Sequence, residues 1–427
     1  MTTASARKRP AALPLALALF LYIPAYAEGF DWSVSSLRPA FGPLDALSAI
    51  LVDAASGSVL YAQNADEVLP PASMIKLLAM DELLSEVDAG RLSLEQDVPL
   101  PPAAWARNAP PGSSLMFLGP GQRASLDELL AGLAVPSGND AAMAAALLLE
   151  PTLPSYLSRV NGRLAAEGYV YTRLVDASGY SEFNATTARE FAFFARGYVE
   201  RHPYALSRYH SLREFVYPKP ENLLPGHRES GVIQYNYNRL LWLMPDADGL
   251  KTGTTPEVGF NLAASAARDG RRLIAVVMGV RGEPGLSGND KRASIARELL
   301  EYGFSAYERV LPELPEPGAV ALYGASERSI PLRLDATWAT GLVLPRGVSA
   351  RLRSEVDAKR RVWGGVEAGA ELGELRLYVD ELLVARASLR AAGGAAEGSW
   401  LRRFIDWLRA QFGRLAGQDY PARLGGS

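Results

Sequence analysis

The amino-acid sequence predicts an α+β fold in which an antiparallel sheet is packed by helices, followed by a small all-β domain and a C-terminal amphipathic helix. Strand-like segments occur towards both ends of the first three quarters of the chain, and the residues between them follow a mainly helical pattern. Beyond about Leu311 prolines cluster, and short strand-like runs without helical period follow. We therefore expect a large domain at 40–310, a β-rich domain at 311–392, and a linker with a terminal helix at 393–427.

Local signals support each element in turn. Residues 46–62 predict a β-hairpin that turns near Ser56-Gly57. Prolines and glycines then delimit the helices and the last two strands of the large domain. The expected elements are a helix after Pro70-Pro71, helical regions at 125–149 (broken at 136–138) and 187–199, two strands within 258–280 joined at Asp269-Gly270, and a helix at 291–302.

The composition excludes several classes of protein. With 427 residues, 48% hydrophobic and 21% charged, the chain is long enough for two or three domains with a real core. A formal net charge of -3 argues against nucleic-acid binding. The absence of cysteine excludes disulfides and thiolate chemistry, and three histidines in all (His202, His210 and His227) argue against a zinc site or a Ser-His-Asp triad.

The N-terminus has the three-part layout of a secretory signal. Arg7, Lys8 and Arg9 precede an apolar stretch, which ends in the small residues of Ala25-Tyr26-Ala27. The apolar stretch is short for a membrane span, and prolines interrupt it. We therefore predict a signal peptide at 1–27, cleaved after Ala27, rather than an uncleaved anchor.

The C-terminus predicts an amphipathic helix at 400–415. On a helical projection the apolar and aromatic residues fall on one side, and four arginines with one aspartate fill the other. Such a segment fits a helix that lies in a membrane interface, and the alternative is a helix packed on its own domain. The small residues of 391–398 would let the helix hang free. We therefore predict an exported protein held peripherally on the outer face of the cytoplasmic membrane through residues 400–415.

Three short motifs bring together the residue types of an active-site-serine enzyme. Ser73-Met-Ile-Lys76 places serine and lysine on one helical face, Ser137-Gly138-Asn139 interrupts a helical region, and Lys251-Thr252-Gly253 precedes a strand. Each motif is weak alone, but their order is that of penicillin-recognising enzymes. Two of only six lysines fall in these motifs, in a chain that otherwise prefers arginine, which suggests that an amine able to lose its proton is needed there.

The chain resembles the low-molecular-mass penicillin-binding proteins, the serine-type D-alanyl-D-alanine carboxypeptidases, over roughly residues 44–305. The resemblance includes GSSLMFLGPGQ (112–122), GLAVPSGNDAA (132–142), NYNRLLW (236–242), DGLKTGTT (248–255), GFNLAASA (259–266) and LLEYGF (299–304). It implies a β-lactamase/transpeptidase-like catalytic domain, peptidoglycan stem peptides ending in D-Ala-D-Ala as substrate, covalent binding of β-lactam antibiotics, and no cofactor or metal.

The residues allow a chemical assignment beside this resemblance. Serine needs a base, so Ser73 is expected as the nucleophile and Lys76 as a base whose pKa is lowered by burial and by the second ammonium of Lys251. Ser137 would relay the proton to the leaving amine. The residues expected to hold the substrate are Asn139, Lys251, Thr252, Gly253, Thr254 and Arg292, and Asn139 could instead hold Lys76. The oxyanion is expected to be bound by the backbone N–H groups of Ser73 and Thr254.

Two details of this assignment depend on the resemblance. Arg292 occupies the place of an arginine that assists carboxylate binding in the family, and its alternative is a solvated helix residue. Thr254 follows the KTG motif where many relatives have histidine, which leaves the level of activity and the pH profile open.

Two other functions remain as alternatives. A class A β-lactamase shares the three motifs but needs a glutamate for deacylation, and its usual ExxLN pattern is absent between Ser137 and Lys251. The other alternative is a non-catalytic wall-binding protein, and the presence of every motif residue argues against it. The sequence leaves open whether the substrate is monomeric or cross-linked peptide, and which diamino acid the stem carries.

Overall fold

The computed structural model describes residues 29–335 and 341–423, and the predicted signal peptide at 1–27 lies outside the described residues. The main helices are α1 (Lys76–Asp88), α2 (Leu126–Ala134), α3 (Asn139–Leu149), α4 (Leu153–Ala166), α5 (Ala188–Arg201), α6 (Leu240–Leu243), α7 (Gly288–Ala306) and α8 (Trp400–Leu415). The strands up to residue 310 are β1 (Ser48–Asp53), β2 (Val59–Gln63), β3 (Asp97–Val98), β4 (Ala124–Ser125), β5 (Glu214–Tyr217), β6 (Val232–Tyr235), β7 (Ala247–Thr255), β8 (Gly259–Arg268), β9 (Arg271–Val280) and β10 (Tyr307–Val310). The later strands are β11 (Ala319–Tyr323), β12 (Ser329–Asp335), β13 (Leu342–Pro345), β14 (Leu352–Ala358), β15 (Arg361–Trp363), β16 (Glu371–Val379), β17 (Leu382–Ala391) and β18 (Ala422–Arg423).

A five-stranded antiparallel sheet organises the large domain. Its strand order is β2-β1-β9-β8-β7, so β7, which carries the KTG motif, lies at one edge. Helices cover both faces, and for that reason all six residues of β1 are buried. Ile50 and Val52 face the core formed with α1 to α5, whereas Ala49 and Leu51 face the core formed with α7. The predicted α+β arrangement is confirmed.

The predicted break at 136–138 separates α2 from α3. The capping box of Ser125 and Glu128 starts α2, and α3 begins at Asn139. Ser137 between them has a left-handed backbone, with a φ of 59°. This turn projects the Ser-Gly-Asn motif towards α1 instead of continuing the helix.

The C-terminal part forms a seven-stranded sheet with the order β14-β16-β17-β12-β11-β15-β18. A two-stranded ladder of β10 with β13 connects it to the large domain. Its own core contains Val320, Leu332 and Leu389. The predicted β domain is therefore present, and it shares a ladder with the domain before it.

The terminal helix α8 spans Trp400–Leu415, the segment predicted from its periodicity. Its buried residues are Asp406 and Ala410, and Asp406 accepts a hydrogen bond of 2.9 Å from the backbone N–H of Gly324. The apolar residues face outward: Trp400 is 77% exposed and Leu415 is 83% exposed. The helix thus packs on the β domain through a polar residue and leaves its apolar face uncovered.

The prediction that residues 391–398 form a free linker is wrong. The segment is bridged to the β domain at Ala395, which pairs with Val366, and at Glu397, which pairs with Ala325. The small residues allow the backbone of this segment to pack closely against the β domain. A Cβ at Gly398, for example, would lie 2.8 Å from the carbonyl oxygen of Ala325. The composition that indicated flexibility instead permits tight packing.

Candidate active site

The nucleophile motif folds as predicted, with serine and lysine side by side. Ser73 lies in a 3₁₀ turn, Ala72–Ile75, and Lys76 is the first residue of α1. The distance from Lys76 Nζ to Ser73 Oγ is 2.7 Å. Ala72 has a left-handed φ of 53°, an unfavourable conformation for a residue with a Cβ, and such strain is common beside reacting groups.

Two acceptors besides Ser73 Oγ surround the amine of Lys76. Nζ donates to Asn139 Oδ1 and to the carbonyl oxygen of Ser178, each at 2.7 Å. Both oxygens can only accept, and Asn139 is held in this orientation because its Nδ2 donates to Ser113 Oγ at 2.9 Å. A neutral amine has two N–H groups, and these two acceptors occupy both. The third position, towards Ser73 Oγ, is then free to accept a proton.

Burial makes the neutral amine accessible near neutral pH. Lys76 has no exposed surface, and this burial lowers its pKa from 10.5 to about 7, against a raising effect of Asp176 and Asp140. Burial, followed by repulsion from Lys76 and Arg292, lowers the pKa of Lys251 well below its usual range. Burial is thus the main cause that lowers the pKa of both lysines, and the repulsion between the two ammonium groups adds to it at Lys251.

The second motif, Ser137-Gly138-Asn139, contacts the third motif through Lys251. Lys251 Nζ donates to Ser137 Oγ at 2.8 Å and to the carbonyl oxygen of Thr252 at 3.1 Å. Asp140 anchors the opposite side of the turn because its carboxylate accepts backbone N–H bonds from Met116 and Leu118. Ser137 therefore lies between Lys251 and the cleft, a suitable position for passing a proton.

Glycine in the KTG motif lets the edge strand approach the nucleophile. A Cβ at Gly253 would lie 2.4 Å from the carbonyl oxygen of Pro71 and 3.0 Å from the Cβ of Ala72. Thr252 and Thr254 are two residues apart on the strand, so their side chains lie on the same face, and both line the cleft. The unpaired edge of β7 consequently borders the cleft above Ser73.

Arg292 is buried, and the alternative of a solvated helix residue is wrong. It is 1% exposed, and its guanidinium donates to the carbonyl oxygens of Gly253, Asn261 and Tyr237 and to Thr254 Oγ1 at 3.0 to 3.2 Å. All these acceptors are neutral, and no carboxylate within the described ranges forms an ion pair with it. Burial lowers its pKa to about 9, so it is charged at neutral pH. This buried cation requires an anion, which a substrate carboxylate can supply.

A cleft of about 220 Å³ joins these groups. Of the predicted residues, it is lined by Ser73, Ser137, Thr252, Gly253, Thr254 and Arg292. The sequence analysis did not identify Ser114, Tyr237, Phe260 and Asn289, which also line it. Lys76, Asn139 and Lys251 lie behind this surface, where they contact the serines and not the open space.

A loop at 176–181 supplies a contact that no side-chain motif could indicate. The carbonyl oxygen of Ser178 accepts from Lys76, and Asp176 holds the loop by accepting backbone N–H bonds from residues 178–181. Gly179 makes the approach possible: a Cβ there would lie 2.0 Å from the carbonyl oxygen of Ala72. The sequence signal was the Asp-Ala-Ser-Gly turn, whose closeness to Ser73 arises only from tertiary packing.

His202 and His210 form their contacts outside the cleft. His202 lies between Asp81 and Asp88 on the far side of α1, and His210 contacts Tyr198. Across 29–335 and 341–423, no group of three His, Cys, Asp or Glu side chains has the spacing to hold a metal ion. In the same ranges no helix is both long and apolar enough to cross a membrane.

Comparison with known proteins gives a consistent result. Residues 35–282 match the family of D-alanyl-D-alanine carboxypeptidases, peptidase family S11. D-alanyl-D-alanine carboxypeptidase DacC of Escherichia coli is 30% identical over 377 residues, which cover 86% of this chain and 89% of the relative. DacA of Escherichia coli is 29% identical over 411 residues, 94% of this chain and 96% of the relative.

Solved structures agree in fold. Penicillin-binding protein 5 from Haemophilus influenzae has a TM-score of 0.73 at 26% identity, covering 84% of this chain and 100% of that chain. Penicillin-binding protein D2 from Listeria monocytogenes, in a cefotaxime-bound form, has a TM-score of 0.53 at 25% identity over 62% of this chain and 100% of that chain. The family match covers more than half of the chain, and the two serines and the Thr-Gly of KTG line one cleft with both lysines directly behind it. The chain therefore belongs to the family of serine-type D-alanyl-D-alanine carboxypeptidases.

Proposed function

We propose that the protein removes the terminal D-alanine from peptidoglycan stem peptides through an acyl-enzyme on Ser73. The observation that carries this proposal is the distance of 2.7 Å between Lys76 Nζ and Ser73 Oγ. Ser73 Oγ attacks the carbonyl carbon of the penultimate D-alanine while its proton passes to Lys76. The peptide C–N bond then breaks, D-alanine leaves with a proton, and water hydrolyses the ester to release the shortened peptide.

Ser137 is the proposed route of the proton to the leaving amine. Its hydroxyl lines the cleft and accepts from Lys251 Nζ at 2.8 Å, so it can donate to the amine as it is resupplied from the lysine side. Asn139 holds Lys76 in place through its side-chain oxygen. These assignments extend the three motifs to a complete acid–base sequence.

The terminal carboxylate of the substrate is the proposed partner of Thr252, Thr254 and Arg292. All three line the cleft, and the buried guanidinium has only neutral acceptors. The substrate backbone can add to the open edge of β7, close to Gly253. The backbone N–H groups of Ser73 and Thr254 are the proposed donors to the oxyanion.

β-Lactam antibiotics are the proposed inhibitors, because a strained β-lactam carbonyl presents the same target to Ser73. The similar Listeria protein has been solved in a cefotaxime-bound form, which supports this proposal. Purified protein incubated with penicillin should carry one adduct at Ser73 by mass spectrometry. An adduct elsewhere, or one that persists in Ser73→Ala, would contradict the assignment.

Release of D-alanine from a pentapeptide distinguishes the proposed activity from the two alternatives. A β-lactamase would hydrolyse penicillin rapidly and leave the peptide intact. The nearby carboxylate of Asp176 is already engaged by four backbone N–H groups and Asn184, so it is not available to activate water. A non-catalytic wall-binding protein would release no D-alanine at all.

We further propose that the mature protein is exported and lies on the outer face of the cytoplasmic membrane through α8. Two observations support this: the signal-like residues at 1–27, and an apolar helix face that the β domain leaves exposed. From residue 400 to the C-terminus five arginines stand against two aspartates, a charge that attracts anionic lipid. The helix would lie flat with its apolar side in the interface.

Point variants test this attachment without removing the helix. Phe404→Glu combined with Leu408→Glu should move the protein from the membrane fraction to the supernatant, with D-alanine release from a small peptide unchanged. Leu311→Glu, at an apolar residue that is 72% exposed outside α8, is the matched control and should leave the distribution unchanged. If the double variant still sediments with membranes, the proposed attachment is wrong.

A further inference from the structure

The buried histidine His210 connects helix α5 to the edge strand that carries the KTG motif. It ends a single π-helical turn, Leu206–His210, and has no exposed surface. Its ring nitrogen Nε2 lies 2.7 Å from Tyr198 Oη on α5, and Nδ1 lies 3.3 Å from the carbonyl oxygen of Leu250 on β7. The side chain takes no part in the proposed mechanism, although Leu250 directly precedes Lys251.

The hydrogen-bond partners fix which ring nitrogen carries the proton. A carbonyl oxygen can only accept, so Nδ1 must be the donor to Leu250. Nε2 is then the acceptor, and the hydroxyl of Tyr198, which is fully buried, donates to it. Burial lowers the pKa of His210 to about 3, so the imidazole is neutral at working pH and keeps this one tautomer. Tyr198, His210 and Leu250 therefore form a series of hydrogen bonds with a single direction.

This series ends on the free edge of the sheet. Strand β7 is the edge strand next to β8, and alternate residues of an antiparallel strand turn their backbone groups to the same edge. The carbonyl oxygen of Leu250 accepts from His210. Two residues on, the carbonyl oxygen of Thr252 accepts from Lys251 Nζ at 3.1 Å. His210 thus satisfies the first of these acceptors and leaves the edge from Thr252 onward for the substrate.

Close packing at this contact fixes the position of β7. A Cβ at Gly249 would lie 2.9 Å from the Cβ of His210, so the strand approaches the π-helical turn through a glycine. Lys251 follows two residues later, and its Nζ donates to Ser137 Oγ at 2.8 Å. A shift of β7 by about 1 Å would take this pair beyond hydrogen-bonding distance, and a displacement of that size costs about 10²-fold in rate.

We propose that His210 is a positioning residue for Lys251. Its Nδ1–H holds the carbonyl oxygen of Leu250, which fixes the edge strand so that Lys251 reaches Ser137. This inference rests on the proposed function, because it assumes that Ser137 and Lys251 pass a proton to the leaving amine. His210 itself lies outside the cleft and acts through β7.

Two amide variants separate the two ring nitrogens. The side-chain nitrogen of asparagine takes the place of Nδ1 of histidine, and that of glutamine takes the place of Nε2. His210→Asn keeps a donor to Leu250 and should release D-alanine with a kcat/KM within about threefold of the wild type, whereas His210→Gln should lose about 10- to 100-fold. Equal losses in the two variants, or no loss in either, would overturn the proposal.

A depsipeptide supplies a readout that a merely structural role would not move. Nα,Nε-diacetyl-L-Lys-D-Ala-D-Ala releases an amine, which must be protonated to leave, whereas the same compound ending in D-lactate releases an alkoxide, which depends less on a proton. His210→Gln should therefore lower kcat/KM about tenfold more on the peptide than on the ester. A fold that was only less stable would lower both by the same factor, so an unchanged ratio would refute the positioning role.

Tyr209→Phe is the matched control on the same turn. Tyr209 is 1% exposed, and its hydroxyl donates to Asp127 Oδ1 on α2 at 2.6 Å instead of to β7. The variant should lower the free energy of unfolding in urea and leave the ratio of peptide to ester cleavage unchanged. A changed ratio in this control would show that the ratio follows stability, which would count against the proposal.

Nitrogen NMR of the wild-type protein tests the contact without any substitution. His210, one of three histidines in the chain, should show a protonated Nδ1 and an unprotonated Nε2, unchanged between about pH 5 and 8. The opposite tautomer would overturn the proposal even if His210→Gln fails to fold. If the wild type is acylated by penicillin but cleaves neither the peptide nor the ester, the proposed function itself fails, a result distinct from every outcome on His210.

Discussion

Replacing Lys76 by arginine tests the central chemical claim, because arginine keeps the charge but does not lose its proton at working pH. Lowering the pKa of Lys76 from 10.5 to about 7 raises the neutral fraction at pH 7 from about 0.03% to about half. Burial therefore increases the fraction of Lys76 that can act as a base by a factor on the order of 10³. We expect Lys76→Arg to reduce acylation of Ser73 by about 10²- to 10⁴-fold.

The assay is the second-order rate of acylation by penicillin between pH 5.5 and 9. A base must be neutral to act, so the wild-type rate should rise with pH, inflect near 7 and reach a plateau above about 8, with about a tenth of the plateau at pH 6. Lys219→Arg, the same change at a lysine whose side chain is 42% exposed, is the control. Near-normal acylation by a folded Lys76→Arg protein, or a flat wild-type profile between pH 6 and 8, would refute the reasoning.

Three further predictions follow from the surroundings of the cleft. Arg292→Gln should lower kcat/KM on a D-Ala-D-Ala peptide by about 10- to 100-fold and abolish the preference for a free carboxylate over a C-terminal carboxamide, measured by D-alanine or D-alaninamide release. Gly179→Ala should destabilise the protein in urea by about 1–3 kcal/mol and slow acylation, whereas Gly168→Ala, at a similar φ but with open space around its Cβ, should slow nothing. Asp406→Ala should release α8 from the β domain and so speed cleavage by trypsin at the arginines of the helix, measured by limited proteolysis.

Elements with a strong local period were predictable from the sequence. The hairpin at 46–62 becomes β1 and β2, which pair with a turn near Ser56, and the predicted bounds of α8 match the structure. Both have an apolar pattern that only one secondary structure accommodates. The helix α4 and the β5–β6 hairpin were not predicted. The hairpin has four-residue strands and a β6 whose apolar residues face outward, so its pattern did not distinguish it from a loop.

The candidate site was predictable where side chains carry the chemistry, and not where the backbone does. Ser73 with Lys76 and Ser137 with Lys251 meet at hydrogen-bond distance, although their roles stay predictions. Every residue has a carbonyl oxygen, so no residue type could mark Ser178 as the partner of Lys76. The burial of Arg292 likewise depends on its helix packing against the sheet, which a single sequence does not reveal.

The buried guanidinium of Arg292 links folding to ligand binding. Unfolding would hydrate a charge that the native protein holds among neutral acceptors, so the empty enzyme carries a strain that an anion relieves. Any small carboxylate that enters the cleft should therefore raise the melting temperature as its concentration exceeds its Kd. Acetate, too small to react, would show the effect alone, and Arg292→Gln would remove it. Substrate supply would then govern the lifetime of the protein as well as its turnover.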